Sequence, residues 1–143
     1  MRTRDLKSGR SRLRDPLLIA STVLVSLNAL HGLDHLRQGL GRLSTEVIVG
    51  GQGLLLLALV PLVLSFRGHR LAPVAAATVG LWTALAVAAS HLAPHWSAFS
   101  DPYAENSLDL VSWGQMLLLI ATAAALGIVG IQTMRLRAAA STA

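Results

Sequence analysis

The stretch PLLIASTVLVSLNALHGLDHL, Pro16 to Leu36, is apolar over most of its length and turns polar only at its far end, where His31, Asp34 and His35 appear. Its length matches the roughly 20 residues that a helix needs to cross a hydrocarbon layer of about 30 Å. It is also too long for the apolar region of a cleaved signal peptide, and no convincing small-x-small site follows it. The first question is whether the rest of the chain repeats this pattern.

It does. TEVIVGGQGLLLLALVPLVLSF (about 45–66), LAPVAAATVGLWTALAVAASHL (about 71–92) and LDLVSWGQMLLLIATAAALGIVGIQTM (about 108–134) are further runs of spanning length, beside the first at about 16–36. The composition agrees: 53% of the 143 residues are hydrophobic and 13% charged, with a mean hydropathy of +0.58. Soluble domains carry about a quarter charged residues. The expected fold is an all-α integral membrane protein, a bundle of four transmembrane helices over 16–134. A basic segment, 1–15, precedes the bundle and a short tail, 135–143, follows it; the first dozen residues and the last half-dozen are expected to lack order.

The basic residues suggest an orientation. Arg2, Arg4, Lys7, Arg10, Arg12 and Arg14 precede the first span, Arg67 and Arg70 join the second to the third, and Arg135 and Arg137 follow the fourth. The first link holds Arg37 and Arg42, and the third link has no Lys or Arg. By the positive-inside rule both termini and the middle link are cytoplasmic, in what reads as the plasma membrane of a prokaryote-like cell. The net charge of +5 is thus mainly a topology signal, and the lipid bilayer is the first partner. A folded basic domain of the kind that binds nucleic acid is missing from the pattern.

This topology brings four of the five histidines to the outer side. On a helix with about 100° per residue, His31, Asp34 and His35 share one face, extended backward by Asn28 and forward by Gln38 and then Arg42. Polar groups at membrane depth are costly on a lipid-facing surface and usually face the bundle interior at functional sites. The third span repeats the spacing with His91 and His95, although Pro94 between them loosens or ends that helix. Behind His91, Gly80, Ala84 and Ala88 leave room for a close neighbour. His69, between Arg67 and Arg70, reads as a solvated link residue.

Histidines four apart on a helix can reach one metal ion. With His31, His35, His91 and His95 as nitrogen donors and Asp34 as an oxygen donor, the set suits Zn, Cu or Fe, or Ni, better than Mg or Ca. Haem b, held axially between the two histidine pairs, is a variant of this reading. The chain has no cysteine, which excludes thiolate ligands and disulfides. The third link, HWSAFSDPYAENSLD, adds Asp101, Glu105 and Asp109 as possible supporting groups, together with Trp96, Phe99 and Tyr103. It reads first as an interfacial aromatic belt and second as a lid that brings a carboxylate to the cluster. Ser107 is the expected cap of the fourth helix, whose Asp109, Ser112, Trp113 and Met116 share a face. The glycines of VGGQGLL, around Gln52, read as close helix contacts.

Three functions follow from these residues. The first is binding of a transition metal at the extracytoplasmic side, for metal handling or metal-dependent chemistry. The second is a proton-coupled or pH-sensing transport component, with the histidines as titrating groups. The third is an accessory subunit of a larger membrane complex, or a homo-oligomer, in which the histidines only form hydrogen bonds.

Overall fold

The computed structural model describes residues 15–142, so the basic segment, apart from Asp15, lies outside the described residues. Among the described residues there are four long helices and no strand: α1 (Pro16–Gln38), α2 (Thr45–Phe66), α3 (Ala72–His91) and α4 (Leu110–Ser141). A single 3-10 turn, Leu40–Arg42, lies between α1 and α2. All four helices are long and apolar enough to cross a membrane. Large apolar side chains such as Leu56, Leu85 and Leu118 face outward.

Local chemistry sets the helix starts. Asp15 caps α1 through a bond from the Leu17 N–H, Ser44 caps α2 through Val47 N–H, and Asp109 caps α4 through Ser112 N–H. Such caps satisfy N–H groups that have no partner inside the helix. The cap of α4 is Asp109 and not the expected Ser107, which holds a positive φ of 50° and belongs to the preceding turn. At its other end α4 runs past Met134 to Ser141, so the expected tail continues the helix as far as that residue.

The buried faces recur every three to four residues. In α1 they are Leu17, Ser21, Leu24, Asn28 and His31; in α4, Ser112, Met116, Leu119, Ala123, Leu126 and Gly130. This is the spacing by which antiparallel bundle helices interlock at shallow angles. In α3 the inward face below His91 is Val87, Thr83 and Gly80, rotated slightly from the expected Ala88 and Ala84.

The tightest contact is between α3 and α4, where glycine replaces side chains. A Cβ placed on Gly80 would sit 2.5 Å from the Gly127 nitrogen, and one on Gly130 2.5 Å from the Ala77 nitrogen. Backbones therefore meet directly, as small residues allow. The glycines of α2 behave differently from expectation. A Cβ on Gly51 or Gly53 would meet open space, and one on Gly50 would touch only the Phe99 ring of the third link.

The middle link and the end of α4 share one end of the bundle, where Arg137 donates to the Arg70 carbonyl. His31, His35 and His91 lie at the other end. Gly80→Leu is expected to force α3 from α4 and destabilise the bundle by about 1–3 kcal/mol or more. Gly51→Ala should be neutral or gain up to about 1 kcal/mol. Unfolding in detergent followed by helical circular dichroism separates the two, and equal behaviour would contradict this packing.

Candidate metal centre

The carboxyl end of α3 leaves carbonyl groups without helical partners, and the following loop, residues 92–109, supplies them. Leu92 N–H donates to Ala88, the Trp96 indole to Ala89, Asp101 N–H to Ser90 and Tyr103 N–H to His91. The loop is folded on itself by Ser100, whose hydroxyl accepts from the Trp96 and Ser97 N–H groups. It is tied to α2 by the Ser44 hydroxyl, which donates to the Ala98 carbonyl. These bonds bring Asp101 and Tyr103 back over the end of α3.

There they meet three imidazoles. His31 and His35, one turn apart on α1, and His91, the last residue of α3, are all buried. One ligating atom from each lies within 4.8 Å of the other two. His31 Nε2 and His91 Nε2 are 3.3 Å apart. The ring centroids are 4.6 Å apart for His31 and His35, 5.1 Å for His31 and His91, and 5.4 Å for His35 and His91. His91 Nδ1 lies 3.0 Å from the Asp101 carbonyl oxygen, which can only accept, so Nδ1 carries the proton and Nε2 the free lone pair.

Tyr103 roofs the cluster. It is fully buried, its ring centroid is 4.6 Å from that of His91 and 5.6 Å from that of Trp113, and its hydroxyl has no hydrogen-bond partner. Burial holds its phenol protonated well above the ordinary range. The belt reading fits the exposed Trp96 and Phe99 but not this ring. No periodicity in a loop marks which aromatic residue turns inward, and the sequence carried no signal that Tyr103 would do so.

Other candidates are held elsewhere. Both Asp34 oxygens are engaged: Oδ1 accepts from Arg37 Nε at 2.8 Å and Oδ2 from Gln38 Nε2 at 2.6 Å. Arg37 continues to Asp109, 2.9 Å away, and to the Ser112 hydroxyl, to which Gln38 also donates. Asp34, Gln38 and Asp109 thus form a polar clasp between α1 and α4 beside the triad. His95 lies beyond the end of α3, exposed, with its backbone N–H toward Glu105 Oε1 at 3.4 Å. Pro94 and the end of the helix at His91 take it out of the i, i+4 register with that residue. Asn28 is buried one turn below His31, with its amide nitrogen unpartnered.

Comparison with family models, with curated proteins and with solved structures finds no match for this chain. The geometry above therefore carries the functional argument.

Two expectations follow. The Ser112 N–H, and after it Arg37, holds the Asp109 carboxyl down to about 2, from an ordinary value of 3.8. A lowered folded-state value contributes stability that is present above about pH 4 and lost as pH falls toward 2. Asp109→Asn keeps a capping side chain and should remove part of the acid-induced drop in unfolding temperature between those pH values. Tyr103→Phe should leave the metal-free protein within about 1 kcal/mol of wild type, because the hydroxyl lies near Gln38 without forming a hydrogen bond of good geometry. Tyr103→Ala should cost about 3–5 kcal/mol, as read by the same unfolding measurement.

Proposed function

We propose that this protein is a four-span membrane protein that binds one divalent transition metal, Zn(II) foremost, through His31, His35 and His91 near one membrane face. The observation that carries the reading is the 3.3 Å separation of His31 Nε2 and His91 Nε2, with His35 completing a buried group of three. Two nitrogens bound to one tetrahedral ion at about 2.0–2.1 Å are about 3.3–3.4 Å apart. The pair is hydrogen-bonded in the metal-free protein, and the same spacing suits neighbouring ligands of a single small ion. Axial ligands on opposite sides of a haem iron stand farther apart, at about 4 Å for bonds of similar length, so the spacing favours a bare ion over haem.

Three imidazoles without thiolates suit Zn(II), Cu(II) or Fe(II) and disfavour Mg and Ca. Three protein ligands leave a fourth position open, which is the arrangement of sites that exchange a ligand or acidify a bound water and not of closed structural sites. The role is therefore metal handling or metal-dependent chemistry. By the distribution of Arg67, Arg70, Arg135 and Arg137 at the opposite end, the site faces away from the cytoplasm.

A proton path through the bundle is a weaker reading. Below Asn28 the described core consists mainly of Leu24, Met116, Leu119, Ala123 and Leu126, with the isolated hydroxyls of Ser21, Ser65 and Thr83. These do not continue the polar chain of the histidine end.

Protein purified without an affinity His-tag is expected to retain or take up one Zn(II) per chain, measured by mass spectrometry and titration calorimetry. His31→Ala, His35→Ala and His91→Ala should each weaken binding by more than the roughly 10–100-fold that loss of an outer-shell partner costs. His69→Ala and His95→Ala should bind as wild type does. Equal binding by the triad variants, or none by wild type, overturns the proposal.

A further inference from the structure

Asp101 is the remaining ionisable group at the triad. It is 5% exposed, and its two carboxylate oxygens differ sharply. Oδ1 accepts from Asn106 Nδ2 at 2.7 Å, whereas Oδ2 is buried with no hydrogen-bond partner. That oxygen lies 3.7 Å from His91 Nδ1 and 4.0 Å from His35 Nδ1. The Arg37 guanidinium is committed to Asp34 and Asp109, and among the described residues no Lys or Arg forms an ion pair with Asp101. A carboxylate oxygen in such a place needs a proton donor or a positive charge to offset its lost hydration.

The N–H of His91 Nδ1 is taken by the Asp101 carbonyl, which leaves His35 Nδ1, 4.0 Å away, as the uncommitted nitrogen facing Oδ2. A cation held on the far side of the imidazoles would supply the offsetting charge. His91 Nδ1 already carries its proton, because it faces the Asp101 carbonyl. His35 Nδ1 is buried and unpartnered, and Asp101 Oδ2 is the acceptor it faces. We infer that Asp101, with its carbonyl against His91 and its Oδ2 between the Nδ1 atoms of His35 and His91, is the positioning residue of the metal centre. It keeps both imidazoles protonated at Nδ1, so that their Nε2 lone pairs converge with that of His31 on one divalent cation.

This rests on the metal reading proposed above. Ligating histidines generally donate their second ring N–H to a carboxylate or carbonyl, which sets the tautomer and strengthens the donor. Here one residue serves two ligands from two helices. Because Asp101 lies on the loop and not on a helix, the loop that caps α3 also orients the ligands. His31, whose Nδ1 has no partner, is held in the metal-free protein by the 3.3 Å hydrogen bond from its Nε2 to His91 Nε2, a proton that a bound cation would displace, and by ring contacts with His35 and His91.

The test uses the full chain in detergent with Zn(II) as the probe. Nitrogen-15 imidazole spectra of the metal-free wild type should show His35 and His91 protonated at Nδ1. Asp101→Asn should shift His35 toward the other tautomer and bind Zn(II) about 10–100-fold more weakly. X-ray absorption at the zinc edge should count the same three imidazoles in both proteins. Asn106→Ala, which removes the contact to Oδ1 and leaves Oδ2 in place, should stay within a few-fold of wild type.

Wild-type affinity in Asp101→Asn, or Nε2-protonated His35 and His91 in wild type, overturns the role of Asp101 and leaves the metal reading standing. Loss of an oxygen neighbour of zinc in Asp101→Asn also overturns it, by making Asp101 a direct ligand. Equal losses in Asp101→Asn and Asn106→Ala assign the effect to loop folding and overturn it as well. Wild-type protein that takes no Zn(II) removes both proposals together.

Discussion

The free carbonyl groups at the carboxyl end of α3 are the constraint from which the histidine end of the molecule is built. A helix that stops inside an apolar bundle exposes acceptors that must find donors. In this chain the donors are backbone and indole groups of the next loop. Once Asp101 N–H is bound to Ser90 and Tyr103 N–H to His91, the loop folds back over the helix end. The Asp101 carboxylate and the Tyr103 ring then fall against the imidazoles as a consequence. Helix termination and site construction are one event in this structure.

The other half of the site depends on how closely the helices approach. Gly80, Gly127 and Gly130 let α3 and α4 touch through their backbones, which gives His91 a stiff mount. α1 has no such contact with α4 and is fastened instead at its polar end, where Arg37 and Gln38 join Asp34 to Asp109 and Ser112. The two fastenings act on different histidines. Backbone packing sets the place of His91, and the polar clasp sets that of His31 and His35. Their meeting at 3.3 Å depends on both.

The clasp also divides the acidic residues by task. Asp34 and Asp109 share the guanidinium of Arg37, so their charge is partly offset within the protein. Among the described residues no Lys or Arg forms an ion pair with Asp101, and its oxygen without a hydrogen-bond partner faces His35 and His91. A bundle end that sets one guanidinium between two carboxylates and leaves a third carboxylate beside three imidazoles is suited to a bound cation, because a buried charge is stable only when it is matched.

The four helices, their order and their polar ends were legible in the sequence, because a run of about 20 apolar residues has few alternatives. So was the candidate role of His31 and His35, since spacing four apart on a helix puts side chains on one face whatever the surroundings. His91 was legible as a candidate in one set with His31 and His35, but its direct contact with His31 was not. That contact joins residues 60 positions apart and is decided by interhelical distance, which small residues in α3 and α4 set. The pairing expected between His91 and His95 depended on a helix continuing through Pro94, and the chain turns into the loop first. The engagement of Asp34 by Arg37 and Gln38, the inward turn of Tyr103 and the orphaned Asp101 oxygen were decided by tertiary structure alone. Local sequence specifies which groups are polar, whereas three-dimensional packing specifies which of them find partners and which are left for something else to bind.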